Sequence, residues 1–239
     1  LAVWLDDPAF GPLARIGTLS RVGGDGVRFD YDRGWLAHEQ AFGLDPRLEL
    51  GGGTFYPSAG TSNFGVFLDS CPDRWGQVLM QRREIVQARV EGRKPDVLRA
   101  WDFLLGVQDV TRMGALRFTA PDVNPGADGA KAFLANEALS APPVTSLPQL
   151  EAAAVAVTQK SQDDLQQLQE WLKVLVAPGS SLGGTRPKAN VREVDGSLWI
   201  AKFPAAEDTD DAGLREKLLH DLAPARGIGV PTSRQLGIG

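Results

Sequence analysis

The sequence contains a single cysteine, Cys71, and only two histidines, His38 and His220. One thiol cannot form an intrachain disulfide, which fits a reducing compartment, and the scarcity of both residues argues against a Cys/His metal cluster. Long apolar runs are also missing. The longest, residues 97–107, is interrupted by charged residues and falls short of the about 18 residues that a membrane-spanning helix needs. We therefore expect a cytoplasmic protein without a membrane segment.

Basic side chains are outnumbered by acidic ones, 25 against 30, which gives a net charge of −5 over 239 residues. A broad basic face for nucleic acid is therefore not expected. The hydrophobic fraction of 43% and the charged fraction of 23% are ordinary globular values. The chain is longer than a typical domain of about 100–150 residues, so it forms either one large domain or two smaller ones.

The N-terminal half combines sheet-like and helical patterns. Residues 1–68 predict a twisted antiparallel sheet, because short apolar or alternating segments are separated by glycine-rich turns. A helix is predicted over residues 72–91, with Pro72 in its first turn and Ser70 as its cap. The residues expected on its apolar stripe are Trp75, Val78, Leu79, Ile85 and Val86. Residues 97–118 form a second apolar stretch that ends in a strand-like segment.

Residues 121–148 are rich in proline and turn residues and predict a junction. It would separate an N-terminal subdomain, residues 1–120, from a second unit, residues 149–239. Two helices are predicted within residues 147–176, with a break near Ser161.

Residues 179–203 hold a glycine- and serine-rich loop followed by a predicted hairpin. We expect strands over Lys188–Val194 and Leu198–Phe203, joined by a two-residue turn at Asp195 and Gly196. In the loop, Gly183 and Gly184 lack a Cβ and would let backbone N–H groups approach an anion.

Arg186 and Lys188 add positive charge at this loop, and Pro187 would stiffen its exit. The pattern is not that of a Walker loop. An ordinary surface loop remains the alternative.

Lys202 lies within the otherwise apolar strand of residues 198–204. A glycine-rich loop, a hairpin and a strand lysine in this order match the way protein kinases hold nucleotide phosphates. Such a lysine usually pairs with a glutamate on the following helix, and Glu216 lies one turn into a helix predicted over residues 212–226 and ended by Gly227. The alternatives are a solvent-facing lysine and a solvated glutamate. Residues 229–238 predict a further strand.

These segments resemble HipA-like serine/threonine kinases, which are toxins of type II toxin–antitoxin systems. The resemblance is carried by residues 180–188, 198–204, 216–231, 67–76, 102–106 and 111–118. It implies an α+β fold: a β-rich N-terminal subdomain followed by a small kinase-like N-lobe of antiparallel sheet plus helix, with the C-terminal helical lobe absent.

The resemblance also implies roles for particular residues. Lys202 would bind the α- and β-phosphates of ATP, and Glu216 would orient Lys202. The residues expected to contact ATP in the loop are Gly183, Gly184, Thr185, Arg186, Pro187 and Lys188. Ser181, with Ser180 beside it, takes the position of autophosphorylation, where a phosphate would add about −1.5 to −2 charge and block the active loop.

The cofactors implied are ATP and Mg²⁺. Relatives phosphorylate a protein of translation, an aminoacyl-tRNA synthetase. They are neutralised by a HipB-like helix-turn-helix antitoxin, through which alone DNA would be contacted.

The catalytic aspartate and the Mg²⁺ ligands of this family are expected in a helical lobe that follows the hairpin. No catalytic residue is therefore assigned here, and the motifs of Asp69, Asp73 and Asp102 are interpreted as structural. We expect either a fragment or a naturally short relative that binds nucleotide weakly and does not turn over.

Two other hypotheses remain. The chain could be a non-catalytic binding or regulatory module that uses residues 1–118, with tryptophans supplying contact area, although Trp35, Trp75 and Trp101 are rather expected in the core. A nucleophilic role for Cys71 rests only on its position near a helix start.

Overall fold

A computed structural model describes residues 1–128, 132–134, 141–158, 165–179, 184–205 and 208–237. The strands in the described residues are β1 (Ala2–Leu5), β2 (Ala14–Val22), β3 (Gly26–Tyr31), β4 (Thr54–Phe55), β5 (Leu116–Thr119), β6 (Lys188–Arg192) and β7 (Leu198–Lys202). The helices are α1 (Arg33–Leu36), α2 (Gly65–Asp69), α3 (Arg74–Val90), α4 (Ala100–Gly106), α5 (Pro125–Asp128), α6 (Leu147–Thr158), α7 (Leu165–Gly179) and α8 (Ala212–Leu222). The predicted α+β class is confirmed.

The N-terminal sheet is antiparallel, with the strand order β4-β3-β2-β1-β5. Strand β5 comes from far along the chain and pairs with β1, so that Leu5 lies opposite Leu116. Gly17 permits the close approach of β2 to β3, because a Cβ there would lie 2.4 Å from the carbonyl oxygen of Asp30. The twisted sheet expected from the alternating segments is therefore present, and it takes a fifth strand from the region after α4.

One core lies on this sheet. It is built from the inward side chains of β1, β2, β3 and β5 together with α1, α2 and α4. Its large, fully buried members include Ile16, Leu19, Phe29, Trp35 and Phe67. The rings of Phe29 and Phe67 lie 5.5 Å apart, so aromatic packing fixes α2 against the strands.

Helix α3 begins later than predicted. Its N-cap is Asp73, whose carboxylate accepts the N–H of Arg74 at 2.7 Å, whereas Ser70 ends α2. Pro72 therefore precedes the cap, because aspartate is among the strongest N-cap residues. The predicted stripe was wrong at Ile85, which is exposed, while Met80 and Ala88 are buried.

A second core joins α3 to α6, α7 and the β6-β7 ribbon. Its buried side chains include Trp75, Leu79, Leu150, Leu172 and Val191. The two helices expected within residues 147–176 are present as α6 and α7, and the predicted break near Ser161 lies outside the described residues. Helix α3 thus packs in the second core although it belongs to the N-terminal half.

The ribbon differs from the predicted hairpin at its turn. Glu193 N–H donates to the carbonyl of Ser197 at 2.9 Å, so the loop has three residues, and Gly196 ends it with a φ of +87°. Asp195-Gly196 as a two-residue turn was therefore wrong. A three-residue loop that ends in a left-handed glycine is the next common hairpin solution.

The strand predicted over residues 229–238 is not formed in its described part, residues 229–237. A strand needs a partner for its backbone groups, and Pro231 lacks one donor. The segment is held through Arg234 instead, which pairs with Glu193 and lies 4.7 Å from the ring centre of Trp199. No described helix is both long and apolar enough to span a membrane.

Candidate functional site

The ribbon has two unlike faces because its side chains alternate. Ala189, Val191, Trp199 and Ala201 face the second core. The opposite face carries Lys188 and Lys202, which are cross-strand partners. The alternation expected around Lys202 is therefore present, and it places two lysines side by side.

Lys202 forms an ion pair with Glu216 on α8. Their side chains are 47% and 43% exposed, respectively, so solvent screens the pair. Helix α8 is positioned by its N-cap Asp211, whose carboxylate accepts the N–H of Leu214 at 2.8 Å. This cap places Glu216 one turn into the helix, with its carboxylate on the lysine.

Lys188 is buried, with 8% of its surface exposed. Desolvation lowers its pKa first, and the positive charge of Lys202 lowers it further, while Asp73 and Glu216 act in the opposite direction. An added anion would stabilise the charged form of Lys188, because it would offset the repulsion from the neighbouring Lys202 ammonium.

The described end of the glycine-rich loop lies against Lys188. Gly184 has a φ of +81°, and a Cβ there would lie 2.8 Å from Nζ of Lys188. Glycine is therefore needed both for its conformation and for the approach of the ammonium. Phe203 N–H donates to the carbonyl of Pro187 at 2.9 Å, which fixes the loop exit to the end of β7.

Arg186 is bound to the segment after β7. Its guanidinium pairs with Asp208, whose carboxylate also accepts the N–H of Ala205 at 2.8 Å. Thr185 is exposed. Gly183, Ser181 and Ser180 lie outside the described residues, so their predicted roles stay predictions.

Helix α3 supplies three contacts to the loop that sequence reasoning missed. The carboxylate of Asp73 accepts the N–H of Gly184. Trp75 donates its backbone N–H to the carbonyl of Gly184 at 3.0 Å and its indole Nε1–H to the carbonyl of Lys188 at 2.8 Å. A cap signal at Asp73 was readable from the sequence, but nothing local indicated a partner 111 residues away.

Cys71 does not offer a reactive thiol. It donates to the carbonyls of Phe67 at 3.2 Å and Ala100 at 3.6 Å, and burial raises its pKa to about 12. The nucleophile hypothesis is therefore not supported by its surroundings. In the described residues no three His, Cys, Asp or Glu side chains are grouped so as to hold a metal ion.

Comparison with known families identifies the N-terminal part. Residues 1–119 match the family model described as the HipA N-terminal domain. The chain belongs to the HipA-like family. Membership of this family implies that the HipA-like chain belongs to a toxin–antitoxin system. No curated protein matches it.

In the HipA-like chain, residues of the matched domain contact the loop and the strand that carry the candidate site. Asp73 and Trp75 lie within the matched residues 1–119, whereas Lys188, Lys202 and Glu216 lie beyond them. The candidate site is therefore assembled from the start of α3, the loop, the ribbon and α8.

Proposed function

We propose that the glycine-rich loop, the lysine pair and Glu216 form the phosphate-binding part of a HipA-like protein serine/threonine kinase that uses ATP and Mg²⁺. The observation that carries this proposal is the Lys202–Glu216 ion pair on the ribbon face that also bears Lys188 and adjoins Gly184. Lysine paired with a helix glutamate beside a glycine-rich loop is the arrangement by which kinases hold nucleotide phosphates.

The residues present fit a polyphosphate. Lys188 and Lys202 place two amino groups on one face of the ribbon. Burial lowers the pKa of Lys188, and repulsion by the Lys202 charge lowers it further. A phosphate group bound between them would be stabilised by both charges. Glu216 would keep the Lys202 ammonium in place without neutralising Lys188.

The residues described do not supply the rest of a kinase centre. They contain no metal-ligand cluster, and we assign neither a catalytic aspartate nor the Mg²⁺ ligands to them. Mg²⁺, when bound with ATP, would neutralise phosphate charge. The part played by this chain's own residues is to bind and orient the nucleotide.

The biological role follows from the family context as part of the same proposal. The kinase would act as a toxin that phosphorylates a protein of translation, such as an aminoacyl-tRNA synthetase. A HipB-like helix-turn-helix antitoxin would neutralise it and supply the DNA contact. Ser181, or Ser180 beside it, would accept a regulatory phosphate.

The test compares two lysine substitutions in the 239-residue chain. Lys202→Ala should weaken binding of a non-hydrolysable ATP analogue at least about tenfold, because it removes one of two phosphate-facing charges. Lys173→Ala, which removes an exposed lysine paired with Glu170 on α7, should leave binding unchanged. Isothermal titration calorimetry measures both.

Equal affinities for Lys202→Ala and the wild-type chain would contradict the proposal. Incubation with radiolabelled ATP should give no phosphate transfer by this chain alone. Strong self-labelling would show that the catalytic groups are present after all.

A second candidate function is a non-catalytic module of a toxin–antitoxin complex. The observation that favours it is a set of large apolar side chains left exposed by the N-terminal sheet region. These are Phe42, Leu50, Tyr56 and Leu68, which are 41–60% exposed. The tryptophans do not add to this surface, because Trp35 and Trp75 are buried and Trp101 packs on the first core.

Toxicity in cells distinguishes the two functions. In a longer protein that includes a catalytic lobe, loss of toxicity in Lys202→Ala with antitoxin binding retained favours the kinase. Unchanged toxicity favours the module.

A further inference from the structure

The start of α3 forms hydrogen bonds with both the backbone N–H and the backbone carbonyl of Gly184. The carboxylate of Asp73 accepts the N–H of Gly184, and the carbonyl of Gly184 accepts the backbone N–H of Trp75 at 3.0 Å. The indole of Trp75 also donates to the carbonyl of Lys188 at 2.8 Å. The loop end is therefore fixed by its backbone to a helix of the N-terminal half.

The Asp73 carboxylate occupies the kind of position that a phosphate oxygen takes. Backbone N–H groups of a glycine loop bind anions because they can converge on one oxygen without hindrance from side chains. Here one carboxylate oxygen of Asp73 accepts a hydrogen bond from the N–H of Gly184, and the other accepts one from the N–H of Arg74 at 2.7 Å. These two hydrogen bonds lower the pKa of Asp73, so the group is anionic at neutral pH.

The same carboxylate acts on Lys188, one member of the lysine pair. Asp73 interacts electrostatically with Lys188, whose Nζ lies beside Gly184. A negative charge at this point repels an incoming phosphate and already satisfies the donor that the phosphate would use.

We propose that Asp73 is a built-in competitor for the anion site, which holds the loop at Gly184 until a polyphosphate displaces it. This inference rests on the proposed function, because it concerns regulation of the same loop. Binding would require the loop to leave Asp73, so the N-terminal helix would set how readily the site fills.

The substitution Asp73→Asn tests the role of the charge, since asparagine caps a helix as well as aspartate does. Asp73→Ser is a second variant, which keeps a capping side chain but is too short to reach the loop. Asp32→Asn is the matched control, because Asp32 is also an N-cap aspartate, on α1, and accepts the N–H of Gly34 at 2.8 Å.

The probe is inorganic tripolyphosphate, titrated into the ¹⁵N-labelled 239-residue chain and followed at the amide signal of Gly184. Both Asp73 variants should bind about tenfold more tightly than the wild-type chain, and Asp32→Asn should bind equally. No gain in the Asp73 variants, an equal gain in Asp32→Asn, or no binding by any variant would overturn the inference.

The two proposals fail separately. If the Asp73 variants gain affinity but Lys202→Ala leaves ATP-analogue binding unchanged, the competition stands and the proposed function is wrong. If Lys202→Ala weakens nucleotide binding but the Asp73 variants gain nothing, the proposed function stands and Asp73 is only a cap.

Discussion

Buried and half-buried polar side chains differ sharply in what they do here. Lys188 and Lys202 are cross-strand neighbours, yet one is buried and the other half exposed. The exposed pair of Lys202 with Glu216 contributes little to stability, at most about 1 kcal/mol, because solvent screens it. The ion pair instead fixes the position of the Lys202 ammonium. The Cys71 thiol is unreactive because burial raises its pKa.

Cys71 should react slowly with thiol reagents in the native protein. Its pKa of about 12 means that the thiolate form at pH 8 is about one part in ten thousand, far below that of an ordinary cysteine. Because the pKa is raised, reactivity should increase only as the pH rises toward that value. Absorbance after addition of Ellman's reagent measures the rate, with the urea-unfolded chain as the fast control. Equal rates in the two states would contradict the buried environment.

At the scale of elements, the ribbon is too small to be stable alone, since two strands rarely are in water. Its apolar face is covered by the second core, and the N–H of Arg192 donates to the carbonyl of Pro142 at 2.8 Å. Helix α3 adds the indole bond from Trp75 to Lys188. The geometry of the site is therefore set by how α3 and α7 pack.

Trp75→Phe tests the link between α3 and the ribbon. The substitution keeps an aromatic ring but leaves the carbonyl of Lys188 without its indole donor, so the free energy of unfolding should fall by about 1–3 kcal/mol. The indole N–H of Trp199 donates to the hydroxyl of Ser197 at 3.0 Å in an exposed setting. Trp199→Phe should therefore lower the free energy of unfolding clearly less. Urea denaturation followed by circular dichroism compares them. Equal losses would mean that the buried bond does not hold the ribbon.

At the scale of the whole molecule, the matched HipA N-terminal domain, residues 1–119, contributes a helix to the core beyond it. Leu79 and Val86 on α3 pack with Leu172 and Leu175 on α7. Residues before and after the predicted junction are therefore joined by apolar packing as well as by the chain.

Separately produced fragments, residues 1–128 and 141–237, should consequently associate. Each leaves one side of the second core uncovered, and burying a leucine-sized side chain contributes about 1.5–3 kcal/mol. Size-exclusion chromatography of the mixture should show a joint peak. Leu79→Asp in the first fragment should weaken association by about 100-fold, whereas Ile85→Asp, at an exposed position of the same helix, should not. Two fragments that elute as independent monomers would contradict this packing.

Local patterns of the sequence determined much of this protein. Alternation predicted the N-terminal sheet and the two faces of the ribbon, and the segments of the loop, β7 and α8 carried the family resemblance. The pairing of Lys202 with Glu216 was implied by the family resemblance, whereas the local pattern alone left a solvated glutamate as the alternative. These features depend on side-chain period and on short-range order along the chain.

Only the tertiary structure decided what meets across long separations. The contact of Asp73 with Gly184 and the sharing of α3 between the two halves had no local signal, and the only local sign against a strand over residues 229–237 was Pro231. The sequence pattern of a helix-capping aspartate is the same whether or not a loop contacts its carboxylate. A segment with a strand-like pattern forms a strand only where the edge of a sheet is available for pairing. Such long-range contacts are set by the packing of the whole chain. The hydrophobic effect is not directional, so the final arrangement depends on how the side chains of all elements fit together.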